Sequence, residues 1–242
     1  MVRVFCEVTD LAALWAARRL ASRGLEVDIV TAPVLGSALR WEHRVSREGD
    51  ASYRLDLGDG RVLSSDQLFG VLNRLSWVPT ERFDRVAGAD RDYAVQEMNA
   101  LFLSWMHALA GPVVNRPTPQ GLGGNWRDPS MWTSLAFQAG LPASSYRQSC
   151  AGDPMQNGSR GWSASVVTVF VVANRVVAPP IVPAEVRDGC LRLANNARNA
   201  LLGIDFVPAI DRGLEWVAAS PIPDLTRGGE PLIDALAEVL ES

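Results

Sequence analysis

The sequence predicts an α/β protein with two sheets, and three observations carry that reading. The N-terminus runs apolar strand, capped helix, second strand; short alternating segments joined by Asp-Gly turns follow it. Near the other end, Leu191 to Leu225 passes from a helical repeat into two strands and a proline-fixed turn. With 242 residues, of which 48% are hydrophobic, the chain can fill one large core or two small ones.

Taken in order, Val2 to Val8 reads as a buried strand. Thr9 or Asp10 caps a helix whose apolar face is Leu11, Leu14, Trp15, Ala17 and Leu20, and Gly24 closes it. Glu26 to Thr31 supplies a second strand, so the opening is a β-α-β unit with a parallel pair. Glu7-Val8-Thr9-Asp10 stands where a dinucleotide fold would carry G-x-G-x-x-G, which removes that reading. Leu39 to Arg47 alternates, and Tyr53 to Leu57 pairs back through Asp59-Gly60 to Arg61-Val62-Leu63, so these segments read as hairpins. Ser64-Ser65-Asp66 is expected to cap a helix carrying Leu68, Val71, Leu72 and Leu75, with Asn73-Arg74 on its solvated edge.

Asp90 opens the longest helical pattern, through Glu97, Leu101, Trp105 and Leu109 to Gly111. Pro112 to Asn115 is a short strand ending in a polar turn. The glycine-rich Gln120 to Asn125 lacks a following Gly-Lys-Ser/Thr, which leaves a turn or an anion nest flanked by Arg116 and Arg127. Asp128 or Ser130 caps a helix with Trp132, Leu135, Ala136 and Ala139, ended by Gly140. Val166 to Val172 and Val176-Val177 form a hairpin about Asn174. Leu191, Ala194, Ala197, Leu201 and Leu202 follow at helical spacing; Gly203 is expected to stop that helix, with strands at Ile204 to Val207 and Leu214 to Ala219. Ser220-Pro221-Ile222-Pro223-Asp224 ends the second strand in a turn whose prolines fix φ. The expected division is residues 1–111 and 112–242.

Composition narrows the chemistry. The net charge is −4, and the 23 cationic residues form no long basic run, so no nucleic-acid footprint is visible. All of them are arginine, which removes a P-loop lysine and a Schiff-base lysine. His43 and His107 lie far apart without H-x-x-x-H or a local nucleophile signature, so neither a metal site nor a Ser-His-Asp or Cys-His site is indicated. Cys6, Cys150 and Cys190 are odd in number and widely spaced, as expected of reduced thiols. The N-terminal strand lacks the apolar core of a signal peptide. The longest apolar run, Val166 to Val182, is broken by Asn174-Arg175 and Pro179-Pro180, so no membrane span is expected and a cytoplasmic address is.

The order of strand, Asn115-Arg116-Pro117, helix ending Ala139-Gly140-Leu141-Pro142, hairpin at Val166 to Val177, Gly203-Ile204-Asp205 strand and Pro221-Ile222-Pro223 turn resembles the ATP-grasp ligases of the ribosomal-protein-glutamylating and graspetide type. The resemblance implies an N-terminal pre-ATP-grasp α/β domain and an ATP-grasp C-terminal domain. In that family an Asp, a Glu and an Asn from two strands hold the magnesium ions that neutralise ATP phosphates. Aligning the prolines leaves Asp205 in place but sets Ala218 at the Glu and Ser220 at the Asn, and a one-for-one register through the preceding loop sets Trp216 and Ala218 there instead. Met131-Trp132 stands where the family has an adenine-side lysine, and the stretch from Ala143 to Ser163 is too short for the two-lysine lid. The implied protein is shortened, lacking most of the lid.

Two functions stay open on this reading. One is a degenerate ATP-grasp-like protein without ATP turnover, metal or cofactor, acting as a binding or partner subunit in a peptide or amino-acid modification pathway. The other is an active carboxylate-amine ligase using ATP and magnesium through an atypical site. No catalytic residue is assigned. Asn115, Arg116, Arg127, Asp205, Ser220 and Asp224 are the expected ligand-binding residues, at the carboxyl ends of strands; Asp205 and Asp224 are equally read as a strand-edge residue and a turn cap. Without the lid, Trp162, Phe170, Trp216 and Ile222 are expected to face an open trough. It would be covered by a second copy, by a protein partner, or by the Ala143 to Gly161 loop through Tyr146 and Met155. A peptide or small molecule is the expected ligand class.

Overall fold

The computed structural model describes residues 1–146, 166–209 and 213–242. They fall into two units, residues 1–125 with 233–242 and residues 126–232. No described helix is long and apolar enough to cross a membrane.

In the first unit β1 (Val2–Cys6) is buried along its whole length. It pairs in parallel with β2 (Val27–Thr31) and with β6 (Gly70–Asn73), and β6 pairs in parallel with β7 (Val113–Val114), giving the order β2-β1-β6-β7. Such two-sided burial explains why β1 reads as an unbroken apolar run. The helix α1 (Leu11–Ser22) starts at Asp10, whose carboxylate accepts from the Ala13 N–H at 2.9 Å. Its buried face is Ala13, Ala16, Ala17 and Leu20, while Leu11 is exposed. The expected Leu-Trp face is therefore corrected to one rich in alanine, a stripe of small side chains that lets the helix lie close on β1 and β2.

A short helix α2 (Ala32–Gly36) leads into a separate antiparallel sheet of β3 (Arg40–Val45), β4 (Ala51–Asp56) and β5 (Val62–Ser64). Arg40 faces Asp56 and His43 faces Tyr53 across the first pair, the hairpin that the alternation predicts. The helix α3 (Gly88–His107) buries Met98, Phe102, Trp105 and Met106. Trp105 is the hub of the core: its ring lies 5.2 Å from Trp41, 5.5 Å from Phe5, 5.8 Å from Phe102 and 6.2 Å from Tyr53.

The helix expected from Ser64 to Leu75 is instead an extended approach to β6. Four consecutive buried residues, Gly70 to Asn73, lie between β1 and β7. Apolar residues in so short a run satisfy helix and buried-strand templates alike, and the parallel ladder decides. Gly70 explains itself there: a Cβ would stand 2.2 Å from the Leu240 carbonyl oxygen. Asn73 and Arg74 are also buried, at 1% and 4% exposure, so the solvated edge is corrected too. The Asn73 amide donates to the carbonyls of Asn115 and Leu122 at 2.8 and 2.6 Å. That bridge, with the β6–β7 pairing, keeps the chain in the first unit beyond residue 111.

The second unit holds an antiparallel sheet of β8 (Val167–Val172), β9 (Arg175–Val177), β10 (Leu201–Ala209) and β11 (Gly213–Ser220), in the order β11-β10-β8-β9. Two helices cover one face. They are α4 (Pro129–Gln138), started by the Asp128 cap, and α5 (Ala184–Ala197). Trp132, Ala136, Leu141, Val169, Val171, Cys190, Leu193, Ile204, Phe206 and Trp216 form the core between them. Arg198, in the left-handed region at φ 56°, ends α5, so the helix stops earlier than Gly203. Gly203 is a strand residue instead, paired with Phe170 on one side and Ser220 on the other. A helix α6 (Gly229–Glu241) closes the chain and crosses the boundary between the units at residue 232.

Candidate functional site

In β10 the side chains of Ile204 and Phe206 enter the core, and Asp205 between them emerges on the opposite face. Its strand neighbours are Thr168 of β8 and Ala218 of β11, and a register shift between Asp205 and Phe206 re-aims β11 just past it. The Thr168 hydroxyl donates to the Asp205 carboxylate at 2.6 Å. The Arg227 guanidinium donates to the same oxygen at 3.4 Å and to the Val166 carbonyl at 3.5 Å. Asp205 and Arg227 are about one-third exposed, so this pair is partly screened by water. One carboxylate thus sits beside a hydroxyl and a guanidinium, with a methyl group opposite. Among the described residues no group of three or more His, Cys, Asp or Glu side chains could hold a metal ion.

The turn after β11 is held from within. The Ser220 hydroxyl accepts from the Ile222 N–H at 3.2 Å. Asp224 caps the single turn of 3-10 helix at Leu225–Gly228, accepting from the Thr226 N–H and hydroxyl at 3.1 and 2.6 Å. That turn packs on β8, which brings Arg227 over Asp205. Pro223 is seated against Gly203: a Cβ at Gly203 would stand 2.4 Å from the Pro223 Cβ. Gly203→Val is expected to cost about 1–3 kcal/mol by overpacking and to loosen this turn. Urea denaturation, with proteolysis at the turn, measures both.

Of the other expected site residues, Arg127 is in the second unit and donates to the Ala197 carbonyl at the end of α5, at 3.4 Å. Asn115 and Arg116 belong to the first unit. Asn115 is buried at φ 58°, and its carbonyl receives the Asn73 amide. The Arg116 guanidinium donates to the carbonyls of Met106, Leu109 and Gly111 at 3.0 to 3.1 Å, closing the C-terminal end of α3. Burial lowers its pKa from the usual arginine value. In the second unit the structure therefore gathers Asp205 with Arg227 and Thr168, neither of which carries a sequence signal. Ser220 and Asp224 shape the adjoining turn.

The expected trough is corrected. Phe170 is 1% exposed and Trp216 7%, the latter because its side chain enters the core of the second unit, where its backbone N–H also donates to the Pro142 carbonyl at 2.8 Å. Ile222 is half-buried, and Trp162, Met155 and Cys150 lie outside the described residues. Among the described residues, the second unit has a cavity of about 490 Å³. Leu141, Val167, Ile181, Val186 and Leu214 line it, and Glu185 is the charged residue on its wall.

Neither described cysteine is poised as a nucleophile. Burial raises the Cys6 thiol to about 11 and the Cys190 thiol to about 12. At pH 8 only about one Cys6 thiol in a thousand is ionised, so a thiol reagent should leave Cys6 and Cys190 unmodified in the native protein. Peptide mass spectrometry before and after unfolding reads this directly.

No protein-family model matches the sequence, and no curated protein matches it. Solved structures do. The macrocyclase MdnC from Microcystis aeruginosa MRC, bound with the precursor peptide MdnA, superposes with a TM-score of 0.72 at 12% identity, over 100% of this chain and 99% of that one. A RiPP-associated ATP-grasp ligase from Chryseobacterium gregarium, in complex with ADP and a leader and core peptide, gives 0.70 at 10% identity, over 99% and 96%. The D-alanine-D-alanine ligase from Aeromonas hydrophila gives 0.52 at 13% identity, over the full length of both chains. These likenesses show the fold: an α/β chain of the ATP-grasp type, with only residues 143–166 between the Leu141-Pro142 turn and β8.

Proposed function

We propose that this chain, an ATP-grasp fold in shortened form, is a ligase-like protein that does not turn over ATP and serves as a binding or partner subunit in a peptide-modification pathway. The observation that carries the reading is the occupancy of Asp205. Phosphoryl transfer depends on cations positioned around the phosphates. Here the one carboxylate of the site faces the Arg227 guanidinium, and Ala218 stands where a second would be needed. The absence of lysine from the whole sequence removes the ammonium groups that would grip the phosphates, and an arginine's planar fork is not equivalent to that compact point charge.

A peptide is the ligand class supported by the neighbours crystallised with precursor peptides. The apolar cavity beside Ile181 has the lining to hold an apolar peptide side chain, with Glu185 at its wall to favour a basic neighbour. Trp126, Met131, Phe137 and Ile181, all exposed, supply apolar surface for association with a second copy or another protein.

The test is ADP release in the presence of ATP, magnesium and candidate peptides. No ADP above the enzyme-free blank is expected; release that disappears in Asp205→Asn would restore the active-ligase reading. Peptide binding is tested separately by panning a displayed peptide library on the wild type and on Ile181→Glu. Selected peptides are expected to lose at least about tenfold in affinity for the variant, the order of effect of placing a charge in an apolar contact. Light scattering on the pure protein reports self-association, and a strict monomer at high concentration would remove the homo-oligomer.

A further inference from the structure

We draw no further inference here: the strongest candidate, the Glu7, Asp10 and Glu81 carboxylate cluster beyond the carboxyl ends of β1 and β6, includes a shielded Glu7 oxygen without a hydrogen-bond partner but carries no second observation that points to a ligand.

Discussion

Trp105→Ala is expected to destabilise the protein by about 3–5 kcal/mol, the cost of emptying a fully buried aromatic site that cannot collapse. The indole is 0% exposed and touches rings from three directions: Phe5 on β1, Trp41 and Tyr53 on the hairpin sheet, and Phe102 one turn earlier on α3. Removing it leaves a void between two sheets and a helix, and no single element can move in without abandoning the others. Trp105→Phe provides the contrast. Its indole N–H meets no acceptor, so phenylalanine loses packing volume but no hydrogen bond, and a cost of about 1–2 kcal/mol is expected from the smaller cavity. Urea denaturation followed by far-UV circular dichroism distinguishes the two. Equal losses in both variants would mean that the indole N–H, and not the ring volume, holds the site.

Arg74→Met should cost a similar amount, about 3–5 kcal/mol, for an electrostatic reason. The Arg74 guanidinium donates to both Asp10 oxygens, at 2.7 and 3.2 Å, with side chains only 4% and 13% exposed. Methionine keeps the volume and removes the charge, which leaves the Asp10 carboxylate shielded and uncompensated at the start of α1. The double variant Arg74→Met with Asp10→Ser tests this. Serine keeps a cap for α1 and carries no charge, so the pair should recover a large part of the loss, about 2 kcal/mol or more. Failure to recover would show that Arg74 acts through its packing against other groups and not through Asp10.

How much of this was legible in the sequence depends on how local each cause is. The caps were readable to within two residues, Thr9 or Asp10 and Asp128 or Ser130, because an N-cap is decided by a residue and the next three N–H groups; the structure selects Asp10 and Asp128. The hairpin of β4 and β5 was readable because its strands and the Asp59-Gly60 turn lie in one stretch. The expectation that Ala218 and Ser220 replace metal ligands came from counting back from two prolines along the family resemblance. These features fixed the α/β class, the ATP-grasp resemblance and the expectation of a crippled cation site.

What the chain's order of residues left undecided was settled by contacts between distant segments. Val71 to Leu75 fits a helix or a buried strand equally well, and only pairing with β1, more than sixty positions earlier, selects the strand. Gly203 looks like a helix stop, yet its missing side chain makes room for Pro223. Phe170 and Trp216 looked free for a trough, yet both are buried, Trp216 within the core of the second unit. Arg227 resembles any surface cation until a 3-10 turn seated on β8 carries it to Asp205. Periodicity and capping act over a few residues and are written in the sequence. Close approach, burial and ion pairing depend on which segments share a space, and that is decided only when the sheets assemble.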